Sequence, residues 1–225
     1  MIQPENNKNQ QRYKTMAVFI NNCLELMQEE GIKNLSIRKV AKKAGYNSAT
    51  IYHYFTDFEE LIVYACLRYV DEYAADLSRY LSLSSHPMEV YINIWECFCK
   101  HSYRHPNEFS LLFFKHMNDC KDFSKYFSQY YEIFPASQSK ELAEYTAMLD
   151  EGNLYEREFI LLSKCLKNAG RNIPDADIFA MCEMNLFIYR GIMSILIESP
   201  EMMTPDEASA KTIEYVKKTS KAYLE

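Results

Sequence analysis

Four cations, Arg38, Lys39, Lys42 and Lys43, are closely followed by a polar run of Asn47, Ser48, Thr50, Tyr52 and His53. Guanidinium and ammonium groups neutralise phosphate, whereas hydroxyl, amide and imidazole groups can read base edges. That chemistry needs the two sets on adjoining short helices. Ile37, Val40, Ala41 and Ala44 follow the i, i+3, i+4, i+7 spacing of one buried face, which leaves the four cations on the opposite face. Ser36 can cap this helix, Gly45 suits a tight turn, and Asn47 or Ser48 can cap a second helix running to about Tyr54. Ala49, Ile51 and Phe55 can anchor that second helix, whose small first residues let it approach a groove closely. Two helices joined by three or four residues form a helix-turn-helix. The expected nucleic-acid contacts are Ser36, Arg38, Lys39, Lys42, Lys43, Asn47, Ser48, Ala49, Thr50, Tyr52 and His53, against the alternative of a merely solvated helix face.

The flanking segments must hold this pair rigidly. A first helix, about Gln11 to Glu30, presents Met16, Ile20, Cys23, Leu24 and Met27 on one face and stops at Gly31. Asp57 with Glu60 forms a capping-box pattern, so a long helix starts immediately after the motif. The expected organisation is therefore a helix-turn-helix domain over 1–57 and a helical domain over 58–225.

Ala41, the Ala44-Gly45 pair, Ile51-Tyr52, Tyr54-Phe55 and Glu59-Glu60-Leu61 stand in an order and spacing that resemble the DNA-binding domain of the tetracycline-repressor (TetR) family. The resemblance covers roughly the first sixty residues. Tyr46, Ala49 and Phe58 depart from it, standing where a small aliphatic, Gly and Lys are usual. The resemblance implies an all-α homodimer on a near-palindromic double-stranded DNA operator. It further implies a C-terminal domain for effector binding and dimerisation, with repression relieved by a small, largely apolar or aromatic effector. An effector-independent nucleoid protein on the same fold and a helical enzyme are the alternatives.

Composition is compatible with this expectation. The chain has 225 residues, 48% of them hydrophobic, with only 5 Gly and 7 Pro, which favours helices. Its net charge is -6. Residues 8–56 nevertheless carry eight cations against three acids, a net +5, so the remainder sums to -11. A basic head on an acidic body suits a protein that docks one end on phosphate. Seven scattered Cys and no signal-peptide pattern lead to an expectation of reduced thiols and a cytoplasmic location. The most apolar run, Leu186 to Ile197, is short of a membrane span and contains Arg190, so no membrane association is expected.

Beyond the head, helices are expected from Phe58 to about Leu83, from Pro87 to near His105, from Pro106 onward, and near Asp122–Phe134, Ser137–Leu149, Leu154–Ala169, Asp175–Glu198 and Asp206–Tyr223. The aromatic stripes among them read either as core or as the wall of an effector cavity. The residues placed at that cavity are Tyr91, Trp95, Phe98, Ser102, Phe109, Phe113, Met117, Tyr126, Tyr130, Asn185 and Tyr189. Asn185 reads equally as a buried structural amide. The Asp175–Glu198 segment is apolar nearly all round, which suggests cover on two sides. Leu154, Leu161, Leu162, Cys165, Leu186, Arg190, Met193 and Ile197 are accordingly expected at a dimer seam. Arg190 is expected to pair with Glu183, Glu198 or a partner-chain acid, or else to clamp an anionic ligand. Cys97, His101 and His105 share one helical face, as do His116 and Cys120, yet neither spacing matches a dedicated metal motif, and no metal or other cofactor is expected. No GxSxG, P-loop or GxGxxG occurs, and the five His show no nucleophile-base spacing, so no enzyme is expected.

Overall fold

The computed structural model describes residues 4–116, 120–135 and 153–224, and every regular element among them is helical. The expected helix over Ser137–Leu149 lies outside the described residues. In chain order the helices are α1 (Pro4–Glu30), α2 (Ile37–Lys43), α3 (Ser48–Ile51), α4 (Phe58–Leu81), α5 (Pro87–Ser102), α6 (Pro106–Ser110), α7 (Cys120–Ile133), α8 (Leu154–Asn168), α9 (Asp175–Glu198) and α10 (Pro205–Leu224). Leu111–His116 forms a π-helical segment between α6 and α7. The described residues divide into two compact units, the first within 1–68 and 125–138, the second within 69–124 and 139–225.

In unit 1, the motif helices are short and depend on caps and on burial. The Ser36 side chain accepts from the Lys39 N–H, and the Asn47 side chain accepts from the Thr50 N–H at 2.9 Å. Gly31 (φ 80°) ends the α1 turn, and Gly45 (φ 77°) turns α2 toward α3 in the left-handed region open to glycine. Val40, Ala41, Ile51 and Phe55 are buried against the Met16, Phe19, Ile20 and Cys23 face of α1. Phe19 is central, with its ring 5.0 Å from Tyr46, 5.8 Å from Tyr54 and 6.3 Å from Phe55. Arg12 of α1 donates to the carbonyls of His53 (2.9 Å) and Tyr54 (3.0 Å), closing the C-terminal end of the second motif helix. Asp57 caps α4 through the Glu60 N–H at 2.8 Å, and the Glu60 carboxylate reaches back to the Thr56 N–H.

Unit 2 is a helical bundle of the remainder of α4 with α5, α6, α8, α9 and α10. In it α9 packs on α8 and α10, and α5 packs on α8 and α10. The Asn153 capping box starts α8 and fixes the register in which Arg157, Glu158, Leu161 and Leu162 turn inward. A single wide stripe of α9 is buried: Ile178, Met181, Cys182, Asn185, Leu186, Tyr189, Ile192, Met193 and Leu196. Leu186 and Met193, expected at a dimer seam, thus belong to this buried stripe. Arg190 is exposed and lies over the Phe114 ring at 4.9 Å, with no acidic partner among the described residues. Its position on the outward face, opposite the stripe, spares it the desolvation that would have required one. Among the described residues α9 is the one helix long and apolar enough to cross a membrane, and its apolar stripe is used inside the unit. The six described Cys are free and buried.

The space around Gly45 is open, so a methyl group there would meet no neighbour. Gly45→Ala should therefore lower stability only through backbone strain, by about 1 kcal/mol. Urea unfolding followed by circular dichroism would measure it, and a loss several times larger would mean that the turn is packed.

Candidate nucleic-acid interface and buried polar site

The basic face of the motif sorts into two kinds of cation. Lys39 is held by Glu30 (2.5 Å) and by the Asn34 carbonyl (2.9 Å), and Lys43 by Glu29 (2.7 Å) and Glu25 (3.3 Å). These pairs engage all three acids of residues 8–56, so Lys39 and Lys43 brace α2 against α1. Arg38 and Lys42 are exposed and carry no ion pair or side-chain hydrogen bond among the described residues. On the second helix, Tyr52 is 56% and Tyr46 43% exposed, and His53, Asn47 and Ala49 are also exposed. Ser48 and Thr50 are half-buried. Thr50 donates its hydroxyl to the Asn47 side chain at 3.0 Å, so both serve as capping groups, and Ser36 does the same for α2. Regular helix covers only Ser48–Ile51, with turn hydrogen bonds extending it through Tyr54 and Phe55. Tyr46 was not among the expected contacts. Its exposure next to the turn is the one signal that marks it, and the sequence does not carry that signal.

Unit 2 contains an almost wholly apolar, partly open cavity of about 70 Å³, lined by Val70, Tyr73, Ile94, Trp95, Phe98, Phe113, Leu154, Arg157, Glu158, Leu161 and Leu186. Three of the expected cavity residues, Trp95, Phe98 and Phe113, line it. Leu154, Leu161 and Leu186, expected at a dimer seam, line it as well. Phe109, Tyr91, Ser102 and Tyr189 are buried behind the wall, where Tyr189 packs on Phe98 (5.1 Å) and stacks on Tyr103 (5.3 Å). Phe113 belongs to the π-helical segment, a distortion often found near functional sites. Tyr126 and Tyr130 belong to unit 1, and Met117 lies outside the described residues. Leu162, Cys165 and Met193 are buried inside the protomer, whereas Ile197 is half-buried.

One ionisable group dominates the cavity, and the sequence did not single it out. Glu158 is buried and accepts from Tyr91 Oη and from Trp95 Nε1, the latter at 2.9 Å. Asn185 donates to Tyr91 Oη at 2.9 Å, and Thr219 donates to Asn185 Oδ1 at 2.5 Å. The amide of Asn185 is therefore a structural relay that joins α5, α9 and α10 to the carboxyl on α8. Burial raises the Glu158 carboxyl to about 7, against a smaller opposing effect of its hydrogen bonds. The same burial pushes Tyr91 well above the phenol range.

A second polar cluster holds Asp76, Cys97 and His101, whose potential ligand atoms lie within 4.8 Å of one another. His105 does not join it, because its ring stacks on Tyr69 at 3.9 Å. Arg79 binds both oxygens of Asp76 (2.9 and 3.0 Å) and, with His101, lowers that carboxyl to about 2. The side chains of His116 and Cys120 lie outside the described residues.

Residues 20–65 match the family model for bacterial regulatory proteins of the tetR family. No curated protein matches the chain. Similar solved structures include FadR of Thermus thermophilus, a TetR-family repressor in complex with lauroyl-CoA (TM-score 0.56, 14% identity, 89% of this chain and 92% of that one). A second is a TetR-family regulator of Syntrophomonas wolfei (TM-score 0.55, 15% identity, 93% and 94%). A third is SmeT, the repressor of the Stenotrophomonas maltophilia multidrug efflux pump SmeDEF (TM-score 0.51, 14% identity, 89% and 87%). At these identities the likeness extends to the fold.

For an acid raised by burial, stability is full below the unfolded value near 4.5 and is lost as pH rises through the folded value near 7. The wild type should therefore lose up to about 3 kcal/mol from this group between about pH 5 and pH 8. Glu158→Gln should flatten that part of the profile. Equal pH slopes in thermal unfolding of the two proteins would mean that Glu158 does not titrate in this range.

Proposed function

We propose that this TetR-family regulator, so identified by its N-terminal segment and its fold, is a ligand-responsive, sequence-specific DNA-binding repressor that acts as a homodimer in the cytoplasm. The observation that carries the reading is the pairing of an uncommitted basic and aromatic face on the motif with an apolar cavity in a separate unit. Arg38 and Lys42 supply phosphate contacts, while Tyr52, His53, Ala49 and the Asn47 amide face base edges, with Tyr46 at their side. Two such heads in one dimer would enter successive major grooves of a near-palindrome. FadR of Thermus thermophilus is in complex with lauroyl-CoA, which supports a ligand site here, and SmeT is the repressor of an efflux pump, which supports repression. An effector that binds the cavity only in the DNA-incompetent form lowers operator affinity, and the operator lowers effector affinity by the same factor. The cavity of about 70 Å³ is smaller than a drug-sized site, so binding requires a small ligand or a widening of the helices.

The dimer surface we assign to the outward face of α9. Phe179 and Phe187 are 52% and 57% exposed there, in line with Glu183, Arg190 and Ser194. Phe179 stacks on Phe159 of α8 at 4.1 Å, so the two helices present a continuous aromatic patch. This patch, with the half-buried Ile197, takes the place of the more deeply buried leucines expected at the seam.

Capture of genomic fragments by the purified protein at two salt concentrations tests the reading. An enriched near-palindrome supports it, and sequence-blind retention would point instead to an architectural DNA binder. On that site, Lys42→Ala should reduce the log-log salt slope by about one unit, whereas Lys39→Ala, already neutralised by Glu30, should change it less. Phe187→Glu should yield monomers in sedimentation and lose operator binding. A Phe187→Glu variant that remains dimeric would place the seam elsewhere.

A further inference from the structure

We infer that the unit 2 cavity selects a small organic cation, with Glu158 as its counter-ion and the rings of Trp95, Tyr73, Phe98 and Phe113 as its cage; this rests on the reading of that cavity as the effector site. The direction of the hydrogen bonds supports it. Thr219 donates to Asn185, Asn185 to Tyr91, and Tyr91 and Trp95 to Glu158, so the relay ends in two donors aimed at one carboxylate oxygen. That arrangement suits the ionised acid. A buried carboxylate without a cation is costly, and hydrogen bonds alone offset only part of the cost. Burial and hydrogen bonds are what move Glu158, and among the described residues no cation acts on it. Arg157 lines the same cavity but has a partner of its own.

A guest with a positive charge supplies the missing counter-ion, and the aromatic wall adds cation–π attraction. A neutral guest leaves the charge unmet, and an anionic guest places two like charges together in a low dielectric. Burial raises the Glu158 carboxyl to about 7, so a cation entering the protonated form releases that proton to solvent. The other titratable groups that face Glu158 are Tyr91 and Cys99 of α5, Cys165 of α8 and Cys182 of α9; burial raises each, so they stay neutral in this range. Tyr73 is the contribution of α4, and α10 contributes the hydroxyl of Thr219.

Trp95 is the only tryptophan of the chain and donates to Glu158, so its fluorescence reports occupancy directly. The protein is titrated with tetramethylammonium, its neutral near-isostere tert-butanol, and trimethylacetate. The cation should bind at least about tenfold tighter than either at about pH 8, and its affinity should fall about tenfold toward pH 6. Glu158→Gln should lose both preferences while keeping its affinity for the neutral isostere. If that variant does not fold, the wild-type pH dependence decides alone. Charge-blind, pH-independent binding, or a preference for trimethylacetate, overturns the cation assignment and leaves the effector cavity standing. If none of the three probes binds at millimolar concentration, the effector cavity itself falls, and this inference with it.

Discussion

Unit 2 is organised around the burial of one carboxyl group. Glu158 sits where α8 meets α5, and its hydrogen-bond relay continues to α9 and α10, so four helices share one polar network in a largely apolar interior. Apolar packing alone tolerates sliding and repacking. Directed hydrogen bonds in a low dielectric do not, because each displaced donor would leave a buried polar atom unpaired. The network thereby sets the helix registers, and those registers place Trp95, Phe98 and Phe113 around the cavity. The same burial that makes the acid sensitive to protons makes it sensitive to the charge of a guest.

The head solves a different problem. Helices of seven and four residues have no stability in isolation, so α2 and α3 rely on side-chain caps and on burial against α1. Phe19 is the shared contact, and Arg12 closes the far end of the second helix. The acids of α1 have a second consequence. By pairing with Lys39 and Lys43 they leave Arg38 and Lys42 as the uncommitted cations of α2. The basic face is thus divided into groups that hold the head together and groups that remain available to a polyanion.

On α9 the same logic separates an inner stripe from an outer aromatic patch. A helix buried on a stripe as wide as Ile178 to Leu196 still has a remaining face. Phe179 and Phe187 on that face have no need to be aromatic for the protomer's own core, which is why they stand out. Arg190 shares it, exposed in the protomer and resting on Phe114.

The helix-turn-helix was legible in the sequence because its determinants are local. A capping Ser36, a permissive Gly45, a capping Asn47 and the 3.6-residue spacing of Val40, Ala41 and Ala44 act over a few residues, and each did so where expected. The all-helical class and the approximate limits of α4, α5 and α7 to α10 followed from the same periodicity. What periodicity cannot give is which of several buried polar residues meet. Glu158, Tyr91, Trp95, Asn185 and Thr219 are separated by up to 128 positions, and in sequence Glu158 is one of two acids on an amphipathic helix. Nor can it assign an apolar residue to a cavity wall rather than a subunit seam: Leu154, Leu161 and Leu186 carry the same pattern for either fate. Local spacing fixes which face of a helix is apolar, but only the packing of one helix on another decides what that face touches.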